Sequence, residues 1–197
     1  MPNWCSFDAC IYGEKREVEA FRTRCEHAIE SGKATNNWDT YELCIQHGMT
    51  KDEINSPNFG YIGGSIDDLG DVTDEYEGRS FVMVHMTTRW APMIAGFESL
   101  LKNYISLEGV YMAEEPGMGI YVNTDVNGRY FSSRYYIDDW DVGNEWFDNI
   151  DQVKKYIKDA YNKTLSEVKL AELERSHYIH IKTGKDKGFM LYKYSIN

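Results

Sequence analysis

Trp4-Cys5-Ser6-Phe7-Asp8-Ala9-Cys10-Ile11-Tyr12 is a run in which apolar and polar side chains nearly alternate. A period of two marks a strand with one buried face. It assigns Cys5, Phe7, Ala9 and Ile11 to the core and Trp4, Ser6, Asp8, Cys10 and Tyr12 to the opposite face. Gly13 breaks the run. From Glu14 to Ser31 the apolar residues Val18, Phe21, Cys25, Ala28 and Ile29 recur at three- and four-residue steps. Glu14 and Glu17 stand in the first turn and Gly32 just past the end, so an amphipathic helix laid on a sheet is predicted here.

Further along, Thr40 to His47 reads as a short helix, Thr50 to Pro57 as a loop and Tyr61 to Ile66 as a short strand. Ser80 to Thr88 is the clearest central strand, and Pro92 to Tyr104 a second helix with Pro in its first turn. Val110 to Glu114, Gly119 to Thr124 and Arg129 to Ile137 read as strands of an antiparallel meander, the last two joined at Asn127-Gly128, a strong hairpin signal. An acidic, Trp-bearing loop at Asp138 to Asp141 follows, then helices at Ile150 to Asn162 and Leu165 to Arg175, then a terminal hairpin of Tyr178 to Lys182 and Phe189 to Ser195.

The chain has 197 residues, enough for one well-buried core or a core domain with an appendage. Hydrophobic residues at 42% are ordinary for a globular protein, aromatic residues at 14% argue against disorder, and no apolar run is long enough to span a membrane. Met1 to Tyr12 has the pattern of neither a secretory signal nor a transit peptide, so a cytoplasmic setting is expected. Cysteines 5, 10, 25 and 44 show no two-residue gap of the zinc-ribbon or thioredoxin kind, and reduced thiols are expected. A net charge of -11 repels phosphates, which disfavours direct nucleic-acid binding.

The order strand, helix, strand, strand, helix, strand from residue 3 to about 114 is that of a split β-α-β, or ferredoxin-like, sheet. The expected fold is α+β: an antiparallel sheet with helices on one face, extended by extra strands. Residues 1–137 form the expected core domain, and residues 138–197 a helix-and-hairpin extension packed on the same unit.

Met1-Pro2-Asn3-Trp4-Cys5, Thr88-Arg89-Trp90-Ala91-Pro92 and the segment Tyr111 to Gly119 together resemble the YubB-type ferredoxin-like family. The resemblance spans residues 1 to about 137. It implies a fold and a setting in phages, plasmids and integrated elements. It carries no catalytic residue, because none is established for that family.

Pro2 would supply a secondary amine only with Met1 removed. Asn123, Asp125 and Asn127 imitate half a calcium loop, but Arg134 stands where the bidentate Glu belongs. Glu114 and Glu115 are adjacent on a strand and point apart. Cys44 with His47 is two ligands without partners, and His177 and His180 diverge. No catalytic set, cofactor motif or metal site is expected.

What remains is two acidic segments: Asp67, Asp68, Asp71, Asp74 and Glu75 with Glu77, and Asp138, Asp139, Trp140 and Asp141. They predict a non-enzymatic interaction protein that binds a protein partner through an acidic, aromatic-bearing surface. Its concrete form is an inhibitor of a basic nucleic-acid-processing enzyme, with carboxylates standing in for phosphates. The alternative is a small enzyme with a cleft between the sheet and the C-terminal extension. An uncovered sheet face or edge also leaves room for self-association.

Overall fold

The computed structural model describes residues 3–35, 38–56, 63–139, 141–184 and 187–196. It is a mixed α+β protein whose chain divides into two compact units, Met1–Ile120 and Tyr121–Asn197. The first unit runs β1 (Trp4–Glu14), α1 (Lys15–Thr35), α2 (Asp39–Gln46), α3 (Lys51–Ile54), β2 (Gly64–Leu69), β3 (Thr73–Asp74), β4 (Arg79–Arg89), α4 (Ile94–Leu101) and β5 (Glu108–Glu115). Its strands lie in the order β5-β1-β4-β2, every neighbour antiparallel, with β3 also paired to β4.

The alternation in β1 holds on its core face, while Cys10, expected on the opposite face, is fully buried there as well. Cys5, Phe7, Ala9 and Ile11 are fully buried, and they meet Val18, Phe21, Cys25 and Ala28 of α1 and Phe97 and Leu100 of α4 in one core. Phe7, Phe21, Phe97 and Tyr111 form its aromatic centre, with ring centroids 5.4 Å apart for Phe7–Phe97 and 6.2 Å for Phe21–Phe97. Burying each such ring stabilises the fold by about 1.5–3 kcal/mol.

Several boundaries differ from expectation: β1 runs through Gly13 to Glu14, whose backbones pair with Ser80 and Arg79 of β4, and α4 covers only Ile94–Leu101, so Pro92 stands outside its first turn. α1 continues through Gly32, which is buried on its core face, so here tertiary contact outweighs a weak helix former. The stretch predicted as a loop from Thr50 contains α3, closed by a capping box in which Thr50 N–H donates to Glu53 Oε2 (2.7 Å) and Glu53 N–H donates to Thr50 Oγ1 (3.3 Å). The strand expected at 61–66 is β2, which reaches Leu69; positions 61 and 62 lie outside the described residues.

The second unit comprises β6 (Ile120–Asn123), β7 (Tyr135–Asp139), β8 (Gly143–Phe147), α5 (Ile150–Tyr161), α6 (Glu167–Ser176), β9 (Tyr178–Lys182), β10 (Gly188–Lys193) and β11 (Ser195–Ile196). Four strands form an antiparallel sheet in the order β8-β7-β10-β9, and β11 pairs in parallel with β6. Val153 and Ile157 of α5 and Leu173 of α6 are buried with Ile179, Phe189 and Leu191 of the sheet. Asn149 caps α5 by accepting from Asp151 N–H and Gln152 N–H.

The hairpin expected at Asn127-Gly128 does not form. β7 pairs with β8 and β10, and residues 129–134 are not a strand, because side chains claim the backbone groups a ladder would use. Asp125 Oδ2 accepts from Tyr130 N–H (2.6 Å) and Phe131 N–H (2.9 Å), and Asn123 Nδ2 donates to the carbonyls of Phe131 and Ser133. The expected domain break after 137 falls inside β7, where it would cut a strand out of its sheet; the division by compactness comes at 120.

This division also separates the charge. Residues 1–120 hold 9 Lys and Arg against 20 Asp and Glu, whereas residues 121–197 hold 12 of each, so the whole net charge of -11 belongs to the first unit.

Candidate functional site

The first acidic segment lies along the β2 side of the first sheet. Asp67 accepts from Thr87 Oγ1 (2.5 Å), Asp71 pairs with Arg22 (3.3 Å), and Asp74 takes Lys15 Nζ (2.8 Å) and Ser80 Oγ (2.9 Å). The Lys15 and Ser80 bonds hold the Asp74 carboxyl below its ordinary pKa. Asp67 and Asp68 are exposed on β2, which borders its sheet among the described strands, where charge suppresses pairing with other chains. Asp71 and Asp74 are thus partly neutralised by α1, while Asp67 and Asp68 stay with the sheet.

The second segment is not the exposed loop expected of it. Asp138 and Asp139 end β7, and Asp139 is 3% exposed. Its Oδ1 accepts from Asp141 N–H (2.9 Å) and Val142 N–H (3.2 Å), which ties the turn into β8. Asp141 pairs with Lys187 (3.0 Å), and Trp140 lies outside the described residues. A carboxylate spent on its own turn presents little charge to a partner.

Strand register assembles a different surface, on the face of the first sheet opposite its core. Trp4 is paired in register with Arg89, Ser6 with Thr87 and Glu114, and Asp8 with His85 and Met112; Asp68 is paired with His85 from the far side. Partners in register point to the same face. At the first row Trp38 joins from the start of α2, its ring 6.2 Å from that of Trp4 and 5.7 Å from the Arg89 guanidinium. Trp4 and Trp38 remain 46% and 39% exposed, so this aromatic–cation cluster is accessible. In the third row His85 Nδ1 meets Asp8 Oδ1 at 2.6 Å.

The segments behind the family resemblance come together at this end of the sheet. Trp90 N–H donates to Asn3 O (2.9 Å), and Thr88 Oγ1 donates to Ala91 O (2.9 Å). A Cβ on Gly117 would come within 2.5 Å of Asn3 Nδ2 and 2.9 Å of Glu115 Oε1, so a larger residue would push both side chains aside. Glu115 is buried and accepts from the N–H groups of Gly117 (3.1 Å) and Met118 (2.5 Å), which closes the turn after β5. Trp90 has φ +69°, a left-handed conformation unusual for a bulky side chain, and is 40% exposed.

The remaining sequence candidates serve the structure. All four cysteines are buried without disulfides; burial pushes the Cys5 thiol up to about 11, Cys44 up to about 12 and Cys25 higher still. His47 is enclosed, its Nδ1 donating to Leu43 O (2.9 Å) and its Nε2 accepting from Tyr104 Oη (3.0 Å), which in turn accepts from Arg24 (2.8 Å). Burial pushes its pKa down to about 4. Glu114 and Glu115 point to opposite faces. Pro2 lies outside the described residues. Among those residues no group of three or more His, Cys, Asp or Glu is placed to hold a metal, and no helix is long and apolar enough to cross a membrane.

No protein-family model and no curated protein matches the chain. A crystal structure of an unknown protein from Galdieria sulphuraria aligns over 96% of this chain and 80% of its own, at 8% identity and a TM-score of 0.31, a likeness too weak to carry argument. No local pattern in the sequence brings Trp38, Arg89 and His85 to one surface. The alternation of Arg79 to Arg89 puts the last two on the outer face, but their pairing with Trp4 and Asp8 needs the register.

Proposed function

We propose that the chain is a protein-binding module without a reaction of its own, which uses the outer face of the first unit's sheet. One observation carries this reading: Trp4, Trp38 and Arg89 form an accessible cluster, and Trp and Arg dominate the energetics of protein interfaces. The carboxylates of Asp67, Asp68 and Glu114 share that face or border it, and the first unit holds the entire net charge. The partner therefore presents basic side chains around an apolar pocket. The concrete form is an enzyme that handles nucleic acid, its phosphate-binding groove filled by these carboxylates.

The reading includes a ferredoxin-like arrangement of the first unit and kinship with the YubB-type family of mobile elements. The order β5-β1-β4-β2, with helices before β2 and β5, supports the first, and the meeting of the motif segments near Asn3 supports the second. A cytoplasmic setting belongs to the same proposal; four buried thiols without disulfides support it.

The test immobilises the chain and its Trp38→Ala/Arg89→Ala variant in a lysate of a bacterial host. The expected result is one basic protein retained by the parent, lost from the variant, weakened by salt and released by duplex DNA. Retention that the variant, salt and DNA leave unchanged overturns the reading. A second reading, an enzyme, is favoured by the imidazole of His85 held at Nδ1 by Asp8, the arrangement that orients a general base.

A further inference from the structure

Lys163 Nζ donates to the carbonyl oxygen of Lys182 (2.5 Å), and Ser176 Oγ to that of Tyr178 (2.6 Å). Both carbonyls lie on the outer side of β9. Thr183 N–H bonds to Lys187 O (2.9 Å) and Lys193 N–H to His177 O (2.7 Å), which fixes the alternation of the β9–β10 ladder. Ile179 and Ile181 therefore face β10 with their backbone groups, whereas Tyr178, His180 and Lys182 turn theirs outward. β9 ends its sheet among the described strands, so the N–H and C=O of His180 face outward between two carbonyls that Lys163 and Ser176 engage.

A cavity of about 470 Å³ adjoins this edge, between β9 and the start of α6. Ile157, Leu165 and Ile181 contribute apolar side chains, each at least nine-tenths buried. Lys163, Lys169 and Lys182 line the same space, and Glu172 is its carboxylate, engaged by Lys169 at 2.7 Å. Three cations against one anion is a local reversal of sign in a chain of net charge -11. An open strand edge supplies main-chain hydrogen bonds to an extended ligand, and a pocket beside it takes alternate side chains.

We propose that the outer edge of β9 and the adjoining cavity bind an extended acidic peptide, which adds to the second unit's sheet as a further strand. Its backbone pairs with His180, an apolar residue enters over Leu165 and Ile181, and its carboxylates replace the contact that Lys163 makes with Lys182 O. This site lies in the second unit and does not depend on the contact proposed for the first.

The experiment uses the full chain and two pools of synthetic peptides about eight residues long. One pool has Glu at alternate positions with random apolar residues between them, and the other has Lys in place of Glu. The chain is expected to retain the acidic pool at low salt. Changing Lys163 and Lys169 together to Glu lowers retention by about tenfold or more, and N-methylation of the retained peptides abolishes it. His180→Pro removes an N–H that faces away from β10, so no ladder bond is lost; this variant keeps the parent's thermal transition and loses the peptide. Retention of neither pool, equal retention of both, or wild-type retention by Lys163→Glu/Lys169→Glu overturns the proposal. So does a concentration-dependent doubling of mass that His180→Pro removes, which assigns the edge to a second copy of the chain.

Discussion

His85 Nδ1 and Asp8 Oδ1 stand 2.6 Å apart across β1 and β4, on the sheet face that carries Trp4 and Arg89. The side chains are 45% and 25% exposed, so water competes for both partners. A double-mutant cycle with His85→Ala and Asp8→Ala, followed by urea unfolding at neutral pH, should give a coupling of about 0.2–1 kcal/mol. A larger value would mark the pair as a structural element of the sheet.

His47 gives the first unit a pH dependence of defined sign. Burial pushes its pKa down to about 4, whereas in the unfolded chain it titrates near 6.5. The unfolded state binds the extra proton first, so the stability from neutral His47 is complete above about 6.5 and lost progressively as pH falls to about 4. Urea midpoints of the parent should fall across that window, and His47→Gln should flatten the slope.

Asp125 acts in the same direction in the second unit, at lower pH. Burial opposes its charge, but the N–H groups of Phe131, Tyr130, Arg129 and Gly128 outweigh burial and hold its carboxyl below the ordinary value. Asp125→Ala leaves these donors unanswered and should cost about 2–4 kcal/mol at neutral pH. The gap between variant and parent should narrow once the pH falls through the depressed pKa, as chemical unfolding at a series of pH values would record.

These two groups also define what the sequence could convey. The alternation of Trp4 to Tyr12 and of Arg79 to Arg89 is a local property, and it led directly to the paired central strands. Asn127-Gly128 misled, because Asn123 and Asp125 spend their side chains on the backbone N–H and C=O groups a hairpin would have used. β8 was invisible because Gly143 to Glu145 are exposed on both faces and show no alternation. Thr50 and Glu53 spell a capping box, a signal that is wholly local. Asp139 looked like surface charge, and only the fold buries it. The cluster of Trp4, Trp38 and Arg89 joins three distant segments, which no local pattern encodes.

Trp90 offers a test of backbone strain. At φ +69° a Cβ is disfavoured, so Trp90→Gly should be more stable than Trp90→Ala by about 1 kcal/mol, both having lost the indole. Equal thermal midpoints for the two variants would show that the loop relaxes at no cost.

The thiols should be silent in the native chain. Cys5, Cys10, Cys25 and Cys44 are all buried, and burial raises the pKa of Cys5, Cys25 and Cys44 far above neutrality. A chromogenic disulfide reagent should modify none of them until denaturant is added, and then all four. Fast reaction of one thiol would reveal local opening of the first unit.

The uneven division of charge makes ionic strength a selective reagent. Twenty carboxylates against nine cations leave residues 1–120 under like-charge self-repulsion, while residues 121–197 are balanced. Added salt shortens the range of that repulsion to about 8 Å at physiological strength. Salt therefore firms one half of the chain against unfolding and leaves the other nearly indifferent, so a single solvent variable acts on the two units unequally.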